Sequence, residues 1–292
     1  MAKNYIILDS GHAKTTAGKR SPDGKLLEWE FNNDMQYKLK KRLEQLGFVV
    51  YLVNPNPEKG SEVSLATRCS RANTYWKNQG KPNCLYVSLH ANAAGTGGWS
   101  TARGVEVYTA ANASAKSKSA AKLINNQIYK DVYAIDKGFK NRGHKTASFY
   151  VIKNTSMPSI LIEYEFYSNK DGVALLQNKR DLLCEATVKG ICAHFGVTYK
   201  SSNQTEVQKP VETKPVTEPK KELKNGTYNV NATVTANSLN VRQGRPGSAG
   251  YNTILGQLKK GQVVKVGYCL NGWFGITFNG KQGFISGEYV KF

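Results

Sequence analysis

The 292-residue chain has no long hydrophobic run. No apolar stretch approaches the ~18 residues that a membrane-spanning helix needs, so we expect no membrane insertion. The first residues, MAKNYIILDSGH, lack the features of a secretory signal, because one lysine precedes a short apolar run that ends at Asp9. We therefore expect a protein that is made in the cytoplasm without a signal peptide. If its target lies outside the cell, another system must release it.

Cysteine is scarce and irregularly spaced. The chain has five cysteines, an odd number, and no C-x-x-C pair. This spacing argues against a disulfide framework and against a structural zinc cluster. We expect reduced cysteines that are mostly buried as packing residues: Cys69, Cys84, Cys184, Cys192 and Cys269.

Acidic residues are few relative to basic ones. The 41 Lys and Arg residues outnumber the 21 Asp and Glu residues, and the net charge is +20. A positive field of this size attracts a polyanion, either nucleic acid or the anionic polymers of a Gram-positive cell wall. The sequence has no helix-turn-helix or base-stacking signature, so we expect no nucleic-acid partner. Solubility is the alternative explanation of the charge.

A linker separates two domains in the sequence. Residues 200–224 contain three prolines, alternating charges and almost no large apolar side chain, which is typical of an extended, semi-rigid linker. We expect one domain over residues 1–199 and a second over 225–292.

The first domain alternates strand and helix patterns. Short apolar runs predict strands, and apolar residues at steps of three or four predict amphipathic helices. This alternation indicates an α/β domain with a mostly parallel, twisted sheet flanked by helices. The predicted strands cover residues 5–9, 48–53, 85–89, 104–109, 149–152 and 159–164, and the predicted helices cover 30–46, 64–79, 114–134 and 171–195.

The second domain has a different pattern. Short runs such as SLNVR, QVVKVGYCL, FGITF and KQGFIS are separated by Gly, Asn and Lys-Gly turns. The pattern predicts a small all-β barrel.

Four polar residues lie beside predicted strands of the first domain. His12 follows the first strand, Glu28 lies at the entry to the first long helix, His90 follows the apolar run LYVSL, and Glu163 lies near the end of PSILIEYEF. In open α/β sheets ligands bind beyond the carboxyl ends of the strands, so these side chains can converge there.

Two imidazoles and one carboxylate suit a catalytic zinc ion whose fourth position is left to water. Zinc lowers the pKa of such a water towards ~7. A further carboxylate could take the proton of the water and pass it to a leaving amine. Because the chain has four histidines, a structural role for either one is the alternative.

Five segments of the first domain resemble a known family. LDSGHAK, LLEWEFNN, LATRCSRAN, VSLHANA and MPSILIEYEFYSN resemble, in order, the blocks of zinc-dependent N-acetylmuramoyl-L-alanine amidases of the amidase type 3 family. The resemblance extends over about residues 4–197. It implies His12, Glu28 and His90 as zinc ligands and Glu163 as the catalytic acid/base.

The same blocks contain Asn92 and Arg68. The resemblance implies that these residues position the ligands or contact the substrate. Loop capping by Asn92 and a surface ion pair of Arg68 are the alternatives. His144 is expected in a solvent-facing loop, and His194 is expected to be structural.

For two of the site carboxylates, a second glutamate two residues later is an alternative candidate. Glu165 stands where the family has glycine, and strand alternation puts it on the same face as Glu163, so only the PSILIE match favours Glu163. Glu30 lies two residues after Glu28, about 200° away around a helix. The spacing of the family motif favours Glu28.

The second domain resembles the bacterial SH3-type wall-binding domains. The resemblance covers about residues 238–291 and rests on LNVR, LKKG, NGW and GKQGFI. It implies binding to peptidoglycan or another wall polymer. Aromatic residues supply rigid contact area, and Tyr251, Trp273 and Tyr289, with Phe274, are candidates for a binding groove. Packing in the barrel core is the alternative for each of them.

Together the two resemblances imply a peptidoglycan hydrolase that cleaves the amide between N-acetylmuramic acid and L-alanine and is held on the wall. The architecture resembles that of clostridial-type bacteriophage endolysins, which act in host lysis. Three alternatives remain: a bacterial autolysin, a zinc enzyme that cuts a peptide bond within the stem or the cross-bridge, and a non-catalytic wall-binding protein.

Overall fold

The structure, a computed structural model, describes residues 3–55, 57, 60, 62–95, 97–201, 225–245, 253–270 and 272–292. Residue contacts divide the chain into two compact units, Met1–Pro210 and Val211–Phe292. Nearly all of the predicted linker lies outside the described residues, so its extended conformation and the domain limits stay predictions.

In its described residues, the first unit contains six strands and six helices. Apolar residues that alternate or run continuously form the strands, and apolar stripes form the long helices. In chain order the elements are β1 (Tyr5–Ser10), α1 (Glu28–Gln45), β2 (Val49–Leu52), α2 (Leu65–Asn78), β3 (Cys84–Asn92), β4 (Val105–Thr109), α3 (Ala115–Tyr133), β5 (Asn141–Thr146), α4 (Tyr150–Lys153), β6 (Ser159–Phe166), α5 (Lys170–Asn178) and α6 (Arg180–Phe195).

The strands form one sheet in the order β2-β1-β3-β6-β4-β5. All neighbouring strands are parallel except β4, which runs antiparallel to β6 and parallel to β5. The predicted α/β fold with a mostly parallel sheet is confirmed. The carboxyl ends of β1, β3 and β6 therefore lie at one edge of the sheet, together with the start of β4.

Both faces of the sheet are covered by helices. The larger core contains Phe31 and Leu39 of α1, Ile124 of α3 and Ile191 of α6. The smaller core on the opposite face contains Ala72 of α2 and apolar residues of α4. All five cysteines are free and buried, as predicted.

Three sequence predictions for the first unit were wrong. The predicted strand over residues 149–152 is the short helix α4, because a short apolar run does not distinguish a strand from a buried helical turn. Strand β5 was missed because its sequence, NRGHKT, is polar and basic, as is common at the edge of a sheet. The predicted helix over 171–195 is two helices, since Lys179 between them leaves the helical conformation.

The second unit is all-β, as predicted. Its core is formed by residues such as Val241, Val266, Phe274 and Ile285. The strands form one seven-stranded sheet in the order β13-β7-β10-β11-β12-β8-β9, with neighbours antiparallel. The strands are β7 (Gly226–Val234), β8 (Ser238–Arg242), β9 (Ile254–Lys259), β10 (Val263–Leu270), β11 (Trp273–Phe278), β12 (Lys281–Ser286) and β13 (Val290–Lys291).

Within the described part of the chain, no helix combines the length and the apolar character that crossing a bilayer requires.

Candidate functional site

Three of the predicted site residues form a cluster at the carboxyl edge of the sheet. One ligand atom from each of His12, Glu28 and His90 lies within 4.8 Å of the others. Nδ1 of His90 lies 2.9 Å from one carboxylate oxygen of Glu28, and Nε2 of His12 lies 3.4 Å from the other. The ends of β1 and β3 and the first residue of α1 bring these side chains together, although His12 and His90 are 78 positions apart in the sequence.

The backbone around Gly11 and His12 is shaped to hold this cluster. His12 has φ 64°, the left-handed region that non-glycine residues enter at a cost of about 1 kcal/mol or more. A Cβ on Gly11 would lie 2.2 Å from Cε1 of His90. Only glycine at position 11 therefore leaves room for the His90 ring.

Glu28 is buried and ionised within the cluster. Burial by itself raises the pKa of its carboxyl, but hydrogen bonds and charge from His12 and His90 outweigh that effect and lower the pKa below its ordinary value. The backbone N–H of Ala91 also donates to Oε1 of Glu28 at 3.2 Å. A carboxylate between two imidazoles is a donor set that fits a divalent zinc ion.

Glu163 lies beside this cluster. It is the register partner of His90 on the neighbouring strand, so the two side chains lie on the same face of the sheet. Its Oε2 atom is buried and accepts no hydrogen bond from any residue that the structure describes. Burial, followed by the negative charges of Glu28 and Glu106, raises the pKa of Glu163 well above its ordinary value.

Glu165 has a different environment from Glu163, contrary to the same-face prediction. His90 pairs with Glu163 but Asn92 pairs with Phe166, so β6 contains one extra residue in a bulge. The Glu165 carboxylate accepts hydrogen bonds from Nε of Arg103 at 3.2 Å and from two backbone N–H groups. Because those partners occupy its carboxylate, Glu165 is part of a buried ion-pair network.

Glu30 is exposed on α1, whereas Glu28 is 2% exposed and contacts both histidines. The helix therefore separates the two carboxylates as its geometry requires.

Arg68 is buried, so the surface ion pair considered for it is wrong. Its Nη1 donates to Oδ1 of Asp9 at 2.9 Å and to the carbonyl of Ser10 at 2.6 Å. Its Nη2 lies 3.4 Å from Oε1 of Glu62, and the same oxygen lies 3.4 Å from Nδ1 of His12. Arg68 thus joins α2 to the end of β1 and to a carboxylate beside His12.

Asn92 at the end of β3 donates a hydrogen bond to Oε1 of Glu106. Its own oxygen accepts from the backbone N–H of Ala93 at 2.8 Å, which is a local capping contact. Glu106 lies opposite Glu163 in the antiparallel register of β4 and β6. Asn92 is therefore tied to the carboxylate next to Glu163.

The sequence comparisons identify the family. Residues 6–193 match the N-acetylmuramoyl-L-alanine amidase family, and residues 237–291 match the bacterial SH3 domain. The chain belongs to the N-acetylmuramoyl-L-alanine amidase family. It is therefore a hydrolase, with an amidase domain that contains the cluster described above.

Individual amidases and an endolysin are similar to the amidase domain. The endolysin of Bacillus phage SPP1 is 31% identical over 202 residues, which are 67% of this chain and 68% of that protein. The N-acetylmuramoyl-L-alanine amidase LytC of Bacillus subtilis is 30% identical over 193 residues, which are 65% of this chain but only 35% of LytC.

Solved structures of amidases share the fold. The catalytic domain of CwlV from Bacillus (Paenibacillus) polymyxa has a TM-score of 0.53 and 27% identity, and the match covers 67% of this chain and 99% of that one. An amidase from Clostridium difficile 630 has a TM-score of 0.58 at 24% identity, over 67% and 98% of the two chains.

The wall-binding candidates lie in different environments of the SH3-type unit. Tyr251 lies outside the described residues. Trp273 begins β11 and is half-buried, and Tyr289 is 41% exposed. Phe274 is fully buried against the rings of Tyr228 and Phe292, so it belongs to the core and not to a groove.

His144 does not lie in a solvent-facing loop. It is half-buried on β5, and its Nε2 lies 2.8 Å from Oγ1 of Thr109. His194 is half-buried on α6, where its ring packs edge-on against Phe195, in agreement with a structural role.

Sequence reasoning missed several charged residues beside the amidase cluster. Glu62 and Glu106 are not in the quoted family blocks, and Arg142 and Lys145 lie on the unpredicted strand β5. Glu106 offered a usable signal, because a charged residue in the middle of the apolar run GVEVYT must have buried partners.

Proposed function

We propose that the amidase domain hydrolyses the amide between N-acetylmuramic acid and L-alanine of peptidoglycan, with His12, Glu28 and His90 as ligands of a zinc ion. The observation that carries this proposal is the cluster of two imidazoles and one carboxylate, beside which the Oε2 atom of Glu163 has no hydrogen-bond partner among the described residues. The family match gives the bond class.

A zinc ion held there would polarise the scissile carbonyl and lower the pKa of water bound beside it. The surrounding residues of the protein balance the charge and hold the ligands in position. Glu28 neutralises charge between the two histidines, and Gly11 leaves room for the His90 ring. Arg68 and Glu62 hold the end of β1 and the His12 ring in place.

Glu163 is proposed as the general acid/base. Burial raises its pKa and so favours the protonated carboxyl that gives a proton to the leaving amine. As a carboxylate, the same group can take the proton of the attacking water. Its Oε2 atom has no competing hydrogen bond among the described residues, so it is available for such a transfer.

The SH3-type unit is proposed to bind the cell wall and to hold the amidase domain near its substrate bonds. The net charge of +20 favours approach to a wall with anionic polymers. We propose that the protein is a phage endolysin, because the SPP1 endolysin is similar to it over two thirds of both chains. A bacterial autolysin is the second candidate, favoured by the similarity to LytC.

Digestion of purified Gram-positive peptidoglycan tests the reaction, with fragments identified by mass spectrometry. We expect intact glycan strands and free stem peptides that begin with L-alanine. A chelator should abolish the release, and zinc should restore it. Cleavage inside the stem peptide would contradict the proposed bond, and unchanged release after chelation would contradict the metal.

A further inference from the structure

A cationic pair lies on β5, the edge strand beyond β6 and β4. Arg142 and Lys145 on β5 both contact Oε2 of the buried carboxylate Glu106, Arg142 through Nε at 2.8 Å and Lys145 through Nζ. Glu106 also accepts hydrogen bonds from Asn92 and from the hydroxyl of Tyr108. Four donors thus converge on one carboxylate.

The pair carries more positive charge than Glu106 neutralises. Burial by itself raises the pKa of Glu106, but the hydrogen bonds from Lys145, Arg142 and Tyr108 lower it below its ordinary value. The carboxyl is therefore ionised and offsets one of the two cations. One positive charge is left over beside Glu106, which is the register partner of Glu163.

The pair also has hydrogen-bond donors beyond those that contact Glu106. The Arg142 side chain is 35% exposed and Lys145 is 36% exposed. Among the described residues, none accepts a hydrogen bond from Nη1 or Nη2 of Arg142, and its guanidinium lies 4.8 Å from the ring centroid of Phe166. A stacked guanidinium with two free terminal nitrogens is pre-organised to bind a carboxylate with both of them.

The order of the strands fixes which part of the substrate meets this pair. His12 follows β1 and His90 lies on β3, Glu163 lies on β6, and the cations come from β5 beyond β4. Glu163 thus lies between the metal ligands and the cations. An acid that protonates the leaving amine must lie on the peptide side of the amide, so a stem peptide cleaved with Glu163 as the acid would extend over β4 towards β5.

We propose that Arg142 and Lys145 form a subsite for a carboxylate of the stem peptide on the leaving-amine side of the cleaved bond, with Glu106 as the positioning residue that holds both cations. The inference rests on the proposed function. Adjacent strands are about 4.8 Å apart, so β4 lies about one extended residue beyond Glu163. The residue that follows L-alanine is therefore the one whose carboxylate would be bound.

Two soluble muramyl tripeptides test this subsite with the full-length zinc-loaded protein. They differ only in the second stem residue, which is D-glutamate with a free α-carboxylate in one and its α-amide in the other. We expect wild-type kcat/KM to be about tenfold higher for the carboxylate substrate, as the loss of a charge-assisted hydrogen bond predicts. The preference should lie in KM, with kcat nearly equal for the two substrates.

Arg142→Gln and Lys145→Met should each reduce this preference, because each raises KM for the carboxylate substrate by a larger factor than KM for the amide substrate. Lys189→Met is the matched control. Lys189 is 34% exposed and bonds the carboxylate of Asp131 at 2.7 Å, but it lies on α6 away from the site. The control should leave the preference unchanged.

Equal kcat/KM of the wild-type protein for the two substrates would contradict the subsite. An equal loss of kcat/KM for both substrates in the variants would also contradict it, and would show that the pair only holds Glu106 in place. A wild-type protein that cleaves neither substrate would overturn the proposed function and the inference with it. If circular dichroism shows that Arg142→Gln does not fold, Lys145→Met and the wild-type preference decide the question.

Discussion

Glu163 and Glu165 are two residues apart on β6, and their carboxylates have different contacts. Glu165 accepts hydrogen bonds from Arg103 and from backbone N–H groups, whereas Oε2 of Glu163 has no partner among the described residues. The bulge in β6 separates the two environments. The contacts of each carboxylate, and not its position in the motif, therefore favour Glu163 as the acid/base that we propose and Glu165 as a structural group.

Glu163→Gln should abolish hydrolysis and leave folding and zinc content unchanged. Gln keeps the shape of the side chain but cannot transfer a proton, and removing a general acid/base typically costs about 10²–10⁴ in rate. Initial rates on a soluble muramyl peptide, with zinc measured by atomic absorption, check this prediction. Glu30→Gln, on the exposed side of α1, is the control that should stay active. Wild-type rates for Glu163→Gln would remove Glu163 from the mechanism.

Gly11→Ala should weaken metal binding. The added methyl group would lie 2.2 Å from Cε1 of His90, so the ring must move away from Glu28. Displacing a ligand in this way should cost about 10–100-fold in zinc affinity, the range found when the partners that orient metal ligands are lost. Competition with a fluorescent zinc chelator measures the affinity.

Gly98→Ala is the matched control for Gly11→Ala, because no atom lies within 4 Å of a Cβ at position 98. It should bind zinc as the wild type does. If Gly11→Ala binds zinc equally well, the tight packing of His90 against Gly11 has no part in shaping the site.

At the scale of elements, the site depends on how α2 is joined to β1. Arg68 of α2 donates to the carboxylate of Asp9 and to the carbonyl of Ser10, directly before the turn that carries His12. Asp9 also accepts a hydrogen bond from the hydroxyl of Tyr86 at 2.6 Å. A surface helix thereby fixes the end of a buried strand.

Arg68→Leu should destabilise the amidase domain by about 3–5 kcal/mol, because it leaves the buried Asp9 charge without its cation. A loss of this size lowers the melting temperature by roughly 10 °C in a domain of about 200 residues. Thermal unfolding followed by circular dichroism measures the shift.

Arg71→Gln is the control for Arg68→Leu on the same helix. Arg71 is exposed, and its Nη1 donates one hydrogen bond to the carbonyl of Val53 at 3.0 Å. Its loss should cost about 1 kcal/mol. Equal melting temperatures for the two variants would contradict the structural role assigned to Arg68.

The elements also set the limit of sequence-based prediction. Helices with a clear apolar stripe were predicted to within two residues, as for α1, which begins at Glu28 where residue 30 was expected. The run FYVI was misassigned because its burial against the sheet, and not its composition, selects a helix. Strand β5 is held by pairing with β4, a partner that its polar sequence does not reveal.

At the scale of the whole molecule, the two units match separate families and have separate cores. A protein truncated after residue 199 should therefore hydrolyse soluble muramyl peptides with unchanged kcat/KM. On intact walls its activity should fall by about 10²-fold, since the tether that raises the effective concentration is lost. Turbidity loss of a cell-wall suspension compares the two proteins.

Adding residues 225–292 as a separate fragment is the control for the truncation. Without the covalent connection it should bind walls but fail to restore lysis. Equal lysis of intact walls by the truncated and full-length proteins would contradict a targeting role for the second unit.

Local patterns in the sequence were enough to predict an α/β part and an all-β part, and the three side chains that the structure brings together as a cluster, because apolar periodicity and ordered motifs are local. The catalytic role of Glu163 stays a prediction. Three features were visible in the three-dimensional structure alone. Arg68 is buried, and a bulge in β6 separates Glu165 from Glu163. Arg142 and Lys145 both contact Glu106. Those facts depend on which strands pair and in which register. Register is set by contacts between residues far apart in the chain, and no local pattern encodes it.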